Sequence, residues 1–249
     1  EEAFGPIIEK LASNDIDLTK QSIEVAPIAH YHMGGIEVNE RMETCIKGLF
    51  AAGECVGGAN GANRLSGNAL PEAFVFGDIA GSNAAKVGAA SSTLSHQDSE
   101  IALSRVMIDL MQSAGSNVTS HNQNSRHLLH ALQKLLWKDV GVLRDTEKLQ
   151  RALNEVRRFR ENLFPSIRPN QGKAFNTSLM DWLDLRNSLL CAEAICLAAS
   201  ERKESRGAHQ MEDIPFKSDE FTKNQIIASH NGHLVSSWKA VQKLDFDLK

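Results

Sequence analysis

The sequence predicts an α+β protein, and three observations carry that prediction. Short apolar runs of strand character occupy residues 34–52 and stop at a glycine-dense loop. Long stretches with Leu, Ile, Val and Trp at helical spacing fill residues 100–202, and residues 217–249 turn strand-like again.

The elements follow in order. Residues 6–13 (PIIEKLAS) read as a short helix with Pro6 at an early position, followed by a polar break at SNDID and an extended segment ending in EVAPIAHYH. GGIEV (34–38) and CIKGLFAA (45–52) read as strands joined by a turn around NERMET. The second strand stops at Gly53, as a buried strand entering a binding loop does. The loop GECVGGANGANRLSGN (53–68) has five glycines in 16 residues. That density brings backbone close to a ligand or permits positive φ, with a flexible surface loop as the alternative. Asn68 is placed to cap a helix over 69–90, with Pro71 in its first turn, where a missing N–H costs least. Gly77 and Gly81 leave a groove on that helix, which predicts close packing against another element. Amphipathic helices are expected at about 100–114, 124–137, 142–164 and 174–202, with Met107, Met111, Trp137, Phe159 and Trp182 in their core. Residues 203–216 read as a loop, and the tail as a hairpin through Asn231-Gly232. The expected domains are 1–29, 30–90, 98–216 and the tail 217–249.

Composition narrows the function. With 249 residues, 42% hydrophobic and 23% charged, the chain suits a globular core. A formal charge of −4 gives no basic excess for nucleic acid or an anionic membrane, which favours small-molecule chemistry. No apolar run approaches the roughly 20 residues a membrane-spanning helix needs. Cys45, Cys55, Cys191 and Cys196 form no Cys-x-x-Cys pair and have no His at zinc-finger spacing, so no metal site is expected. They read as reduced thiols in or near the core, Cys191 and Cys196 on different sides of one helix, and favour a cytoplasmic setting.

Residues 28–72 hold the chemistry. HYHMGG (30–35), GLFAAGE (48–54) and GANRLSGNAL (61–70) together resemble the succinate dehydrogenase/fumarate reductase flavoprotein family, which includes L-aspartate oxidase. ESRGAHQMEDIP (204–215) adds a further match; Arg206, Gly207 and His209 there are read as interdomain packing and hydrogen bonding. The resemblance covers roughly 1–216. It implies the C-terminal part of a two-dinucleotide FAD-binding domain with a capping-domain remnant before it and a helical bundle after it. Only 27 residues precede the key stretch, and the family's Gly-x-Gly-x-x-Gly motif lies further upstream, so the chain is expected to be the C-terminal part of a larger enzyme that begins internally at Glu1.

The resemblance also implies roles. Glu54 would accept a hydrogen bond from a ribityl hydroxyl of FAD, and Gly34 and Gly35 would let the chain turn tightly beneath the flavin ring. Asn68, Ala69 and Leu70 would offer helix N-terminal amides to the reduced flavin's negative charge, Ala69 standing where the family commonly has Ser. Arg64 would hold one carboxylate of a dicarboxylate through its planar fork and also border the cofactor, and His30 would act as donor at the other end. His32 has no matched role. The implied reaction is hydride transfer between flavin N5 and a carbon of succinate or fumarate, with the proton carried by a capping-domain arginine upstream of residue 1. The implied partners are the upstream FAD-binding half and an iron–sulfur subunit, with a peripheral position at the inner face of the cell membrane reached only through partner subunits. Asn60-Gly61 stands where the family often has His, and Pro71 where it has Leu, which touches substrate identity more than flavin use. L-aspartate oxidase chemistry, or a noncatalytic assembly module lacking the nucleotide-binding half, are the alternatives.

Overall fold

A computed structural model describes residues 5–90, 97, 100, 101, 104, 124–170 and 175–241. The chain divides into two compact units, Glu1–Tyr31 and His32–Lys249. In the first, helix α1 (Gly5–Ala12) is followed by a polar turn in which Asp17 accepts the Thr19 backbone N–H and hydroxyl and pairs with Lys20 at 2.8 Å. Residues 21–30 carry no regular structure and are exposed.

In the second unit the expected strands reduce to single bridges, Ile36 with Val56 and Glu43 with Phe50. A strand needs a neighbour along its whole length; among the described residues each of these segments has a single bridge, 34–38 to Val56 of the loop and 45–52 to Glu43 of the turn. The turn between them forms: the Asn39 side-chain oxygen accepts the N–H groups of Arg41 and Glu43, which holds Met42 at a positive φ of 60°. Helix α2 (Ala69–Ala90) starts where Asn68 and Pro71 predict. Its Gly77 and Gly81 do not pack closely: a methyl group added at either meets nothing within 4 Å.

The helical half holds the core. α3 (Ser125–Asp139), α4 (Thr146–Arg158) and α5 (Thr177–Glu201) pack together, with Leu132, Leu149, Val156, Leu185 and Leu189 almost fully buried. α3 and α4 are capped by Asn124 and Asp145, whose side chains accept the N–H groups of His127 and Lys148. The Asp145 cap moves the start of the predicted 142–164 helix to Thr146. The two residues before that cap form strand β1 (Leu143–Arg144). Beyond Arg158 the helix widens into a π turn over Phe159–Leu163 and ends in a 3-10 turn containing Pro165. Phe159 and Trp182 are buried as expected, the Trp182 indole donating to the Ile167 carbonyl at 3.2 Å. Trp137 is 60% exposed instead, because the buried stripe of α3 runs through Leu128, Leu132 and Asp139 and leaves 137 on the opposite side. The expected 100–114 helix, Met107 and Met111 lie largely or wholly outside the described residues.

Buried charges are matched. Arg151 holds Asp139 with two hydrogen bonds of 3.0 and 2.8 Å, tying the end of α3 to α4. Glu193 on α5 receives Arg157 at 3.1 Å and Arg160 at 2.7 Å. The thiols differ from expectation: Cys45, Cys55 and Cys191 are exposed and only Cys196 is buried. The predicted 203–216 loop contains a short strand, β2 (Gln210–Met211), parallel to β1. The tail forms the predicted hairpin of β3 (Lys223–His230) and β4 (His233–Ala240), turning through Asn231 and Gly232 at φ 51° and 82°. Residues 242–249 lie outside the described part. Among the described residues no helix is long and apolar enough to cross a membrane, and no group of three or more His, Cys, Asp or Glu is placed to hold a metal.

Candidate active site

Two of the sequence motifs cross with no room for side chains. Ile36 N–H donates to the Cys55 carbonyl at 2.7 Å, and Gly57 N–H returns a bond to the Ile36 carbonyl at 3.2 Å. A methyl group on Gly35 would lie 2.4 Å from the Cys55 carbonyl oxygen, and one on Gly57 would lie 2.6 Å from the Gly35 nitrogen. Glycine at both positions is a steric requirement. The same crossing places Glu54, in a short 3-10 turn opened by Gly53 at φ 77°, so that it accepts the His32 backbone N–H at 3.0 Å. The His32 ring Nδ1 lies 2.8 Å from the Gly34 carbonyl, which tightens the glycine turn. His32, read from the sequence as a surface or packing residue without a matched role, is a hydrogen-bonding residue of this crossing.

Next along the chain, Gly58, Gly61 and Gly67 adopt positive φ, and Asn60 Nδ2 donates to the buried Glu72 carboxylate at 2.6 Å. That bond fastens the loop to the first turn of α2. The first helical hydrogen bond runs from Glu72 N–H to the Asn68 carbonyl at 3.1 Å. Ala69 and Leu70 amides therefore precede the helix's own acceptors, and Pro71, which has no N–H, interrupts nothing. Arg64 is half-buried, its Nη1 donating to the Leu65 carbonyl at 3.2 Å.

A third segment reaches the same loop from after α5. Ala208 N–H donates to the Ala62 carbonyl at 2.9 Å, and Gly207 stands against Ala62 at φ 57°. Behind this turn Glu204 is fully buried and bonded to Arg202 and Arg206, both at 2.8 Å, and to the Ser218 N–H at 3.0 Å. Burial alone raises its pKa, but these donors outweigh it and hold the carboxyl at about 2. His209 accepts from Arg144 at Nδ1 (2.9 Å) and donates from Nε2 to the Arg202 carbonyl (3.0 Å). Burial foremost, with the Arg144 charge adding to it, pushes its pKa down against the opposing bond to the Arg202 carbonyl, so the ring is neutral.

The second unit thus brings together Gly34, Gly35 and Glu54 at the crossing, and Arg64, Asn68, Ala69 and Leu70 along one loop and helix start. His30 lies in the first unit, exposed and without regular structure.

The comparisons with known proteins agree on one lineage. A family model described as FAD binding domain matches residues 2–70, and one described as fumarate reductase flavoprotein C-term matches residues 129–246. The chain is 36% identical to the 8-methylmenaquinol:fumarate reductase flavoprotein subunit of Wolinella succinogenes over 254 residues, covering 96% of this chain and 40% of that protein. It is 36% identical to the fumarate reductase flavoprotein subunit of Escherichia coli (strain K12) over 203 residues, covering 80% of this chain and 33% of that protein. Among solved structures, a quinol-fumarate reductase with menaquinol superposes at TM-score 0.83 with 32% identity over 96% of this chain and 42% of that one. The Mycobacterium smegmatis Sdh1 complex superposes at 0.81 with 30% identity over 95% and 40%. The chain belongs to the succinate dehydrogenase/fumarate reductase flavoprotein family. It spans about two fifths of the length of these relatives.

Within that family frame, the sequence motifs lead to the two glycine-bearing segments and to the Arg64 loop. Three contacts escaped them. Gly57 sits in an ordinary Gly-Gly pair, and only the crossing chain makes it obligatory. The Asn60 bond to Glu72 joins residues twelve apart in the chain, which meet only once the loop has folded back onto the helix start. Ala62 carries no local signal at all, because what it touches lies far along the chain at Gly207 and Ala208.

Proposed function

We propose that the protein forms the flavin- and dicarboxylate-binding part of an FAD-dependent oxidoreductase that interconverts succinate and fumarate and passes electrons to an iron–sulfur subunit. The observation that carries the reading is the side-chain-free crossing of Gly35 and Gly57 beside Glu54, followed by a loop that delivers Arg64 to the N-terminus of α2. These residues fit FAD: the crossing offers bare backbone to a flat ring, Glu54 offers carboxylate acceptors, and Ala69 and Leu70 offer amides and the positive helix end to negative charge. Bound FAD supplies hydride chemistry that no side chain can.

Arg64 then receives one substrate carboxylate through two parallel N–H donors, and His30 is the donor assigned to the other carboxylate. Fixed at one carboxylate by Arg64, a dicarboxylate loses much of its rotational freedom, and the positive charge there favours electron density gathering on that carboxylate during the reaction. Asn60 and Glu72 keep the loop in place by their mutual bond. Leu70 (69% exposed), Phe74 (76%) and Val75 (53%) form an apolar face on α2, the surface this reading assigns to the rest of the flavin-binding domain.

The test is a visible absorption spectrum of the purified chain after incubation with FAD and removal of free cofactor, alone and mixed with the upstream half of the enzyme. The expected result is a retained flavin band near ~450 nm, bleached by a succinate-linked donor, in at least the mixture. No retained flavin in either preparation overturns the reading in favour of an assembly module. A flavin band that bleaches with L-aspartate in place of succinate transfers it to aspartate oxidation.

A further inference from the structure

We propose that the Ser205–His209 turn is the positioning device for Arg64: Gly207 and Ala208 clamp Ala62 and so hold the guanidinium two residues further on in the orientation that receives a carboxylate. The inference rests on the reading of Arg64 as a substrate ligand.

The clamp has two faces. One is the hydrogen bond from Ala208 N–H to the Ala62 carbonyl, 2.9 Å long. The other is steric. A methyl group on Gly207 would lie 2.3 Å from the Ala62 oxygen, 2.6 Å from its carbonyl carbon and 2.7 Å from its Cβ. The positive φ of 57° alone would accept Asn, but the approach to Ala62 accepts hydrogen only.

The turn is braced by many bonds, whereas the loop it meets is fastened to α2 by the Asn60–Glu72 bond and to the turn at Ala62. Arg206 and His209 exchange backbone bonds of 2.7 and 3.0 Å, and Ser205 Oγ accepts the Met211 N–H and donates to the Ile214 carbonyl, both at 2.8 Å. His209 is bonded to Arg144 and Arg202, and the Arg206 guanidinium to buried Glu204. The turn is thereby rooted in α5, β1 and β2. Ala62, in contrast, stands beside Gly61 in a loop with glycines at positive φ at 58, 61 and 67, a composition that leaves the backbone many alternatives. Fixing Ala62 fixes the peptides that lead into Arg64, so that less freedom is lost when a carboxylate arrives.

The experiment measures succinate binding by calorimetry on the FAD-loaded native protein as wild type, Gly207→Ala, Arg64→Gln and the double variant. Gly207→Ala is expected to weaken binding about tenfold and, because its Cβ meets the Ala62 carbonyl, to lower the melting temperature as well, so affinities are compared well below the transition of every variant. The double variant should bind no more weakly than Arg64→Gln alone, since the clamp acts only through Arg64. Gly207→Asn, which accepts the backbone conformation yet carries a Cβ, should show the same loss as Gly207→Ala; restored affinity there overturns the clamp. Additive losses, or Gly207→Ala binding within about twofold of wild type while Arg64→Gln fails, overturn the inference and leave the Arg64 reading standing. Undiminished affinity in Arg64→Gln overturns that reading and the inference with it. Hydrogen exchange on the unmutated protein needs no variant to fold: succinate should slow exchange of the Ala208 amide together with those of residues 63–65, and slowing confined to the loop overturns the clamp.

Discussion

Gly35 and Gly57 touch backbone to backbone, so at each the smallest possible side chain is already too large. Gly35→Ala is expected to lower stability by ~1–3 kcal/mol through forced separation of the two segments. A thermal melt reads that loss, and an FAD titration reads the accompanying loss of cofactor uptake. At Arg64 the chemistry is in the fork. Arg64→Lys keeps the charge but gives up the paired donors, and succinate affinity should fall by roughly tenfold or more in calorimetry, with the melting temperature unmoved. Residues that lie in motifs the family resemblance picks out, such as Arg64 and Glu54, stand out in the sequence. Residues whose importance comes from what crosses them, such as Gly57 and Ala62, do not, because the crossing segment is distant in the chain.

Helix α2 could be read from its start, since Asn68 and Pro71 are local signals that act within one turn. The strands at 34–38 and 45–52 could not, because an extended run becomes a strand only beside a neighbour, and these meet one bridge each. For the same reason the hairpin at 223–240 was legible: its two halves are adjacent in sequence and Asn231-Gly232 supplies the turn. The three-helix core explains which thiol is protected. Burial pushes the Cys196 thiol up to about 12, so iodoacetamide should label Cys45, Cys55 and Cys191 in the native protein and Cys196 only after unfolding, as read by mass spectrometry. On the same helix Leu189 is fully buried, and Leu189→Ala should cost about 3 kcal/mol in a denaturant melt, by lost transfer energy and an unfilled cavity.

For the molecule as a whole, stability should rise with pH through two acid steps. His209 is held below its ordinary value of 6.5, so the unfolded chain takes up a proton before the folded one and stability falls as pH drops through about 6.5. Glu204 adds stability that is complete above its ordinary value of 4.5 and disappears as pH falls towards about 2. Urea midpoints measured from pH 8 down to pH 2 should show both steps, and Glu204→Gln should remove the lower one while destabilising the protein by about 3 kcal/mol at neutral pH, since it leaves Arg202 and Arg206 without their buried counter-charge. The turn that braces Ala62 has a further consequence, for the order of events during synthesis. Its residues leave the ribosome roughly 150 positions after the loop they support, which at about 5–20 residues per second is a delay of roughly seven to thirty seconds. Throughout that interval the Arg64 loop exists without its buttress, so the bond to Ala62 forms only after translation has passed Ala208.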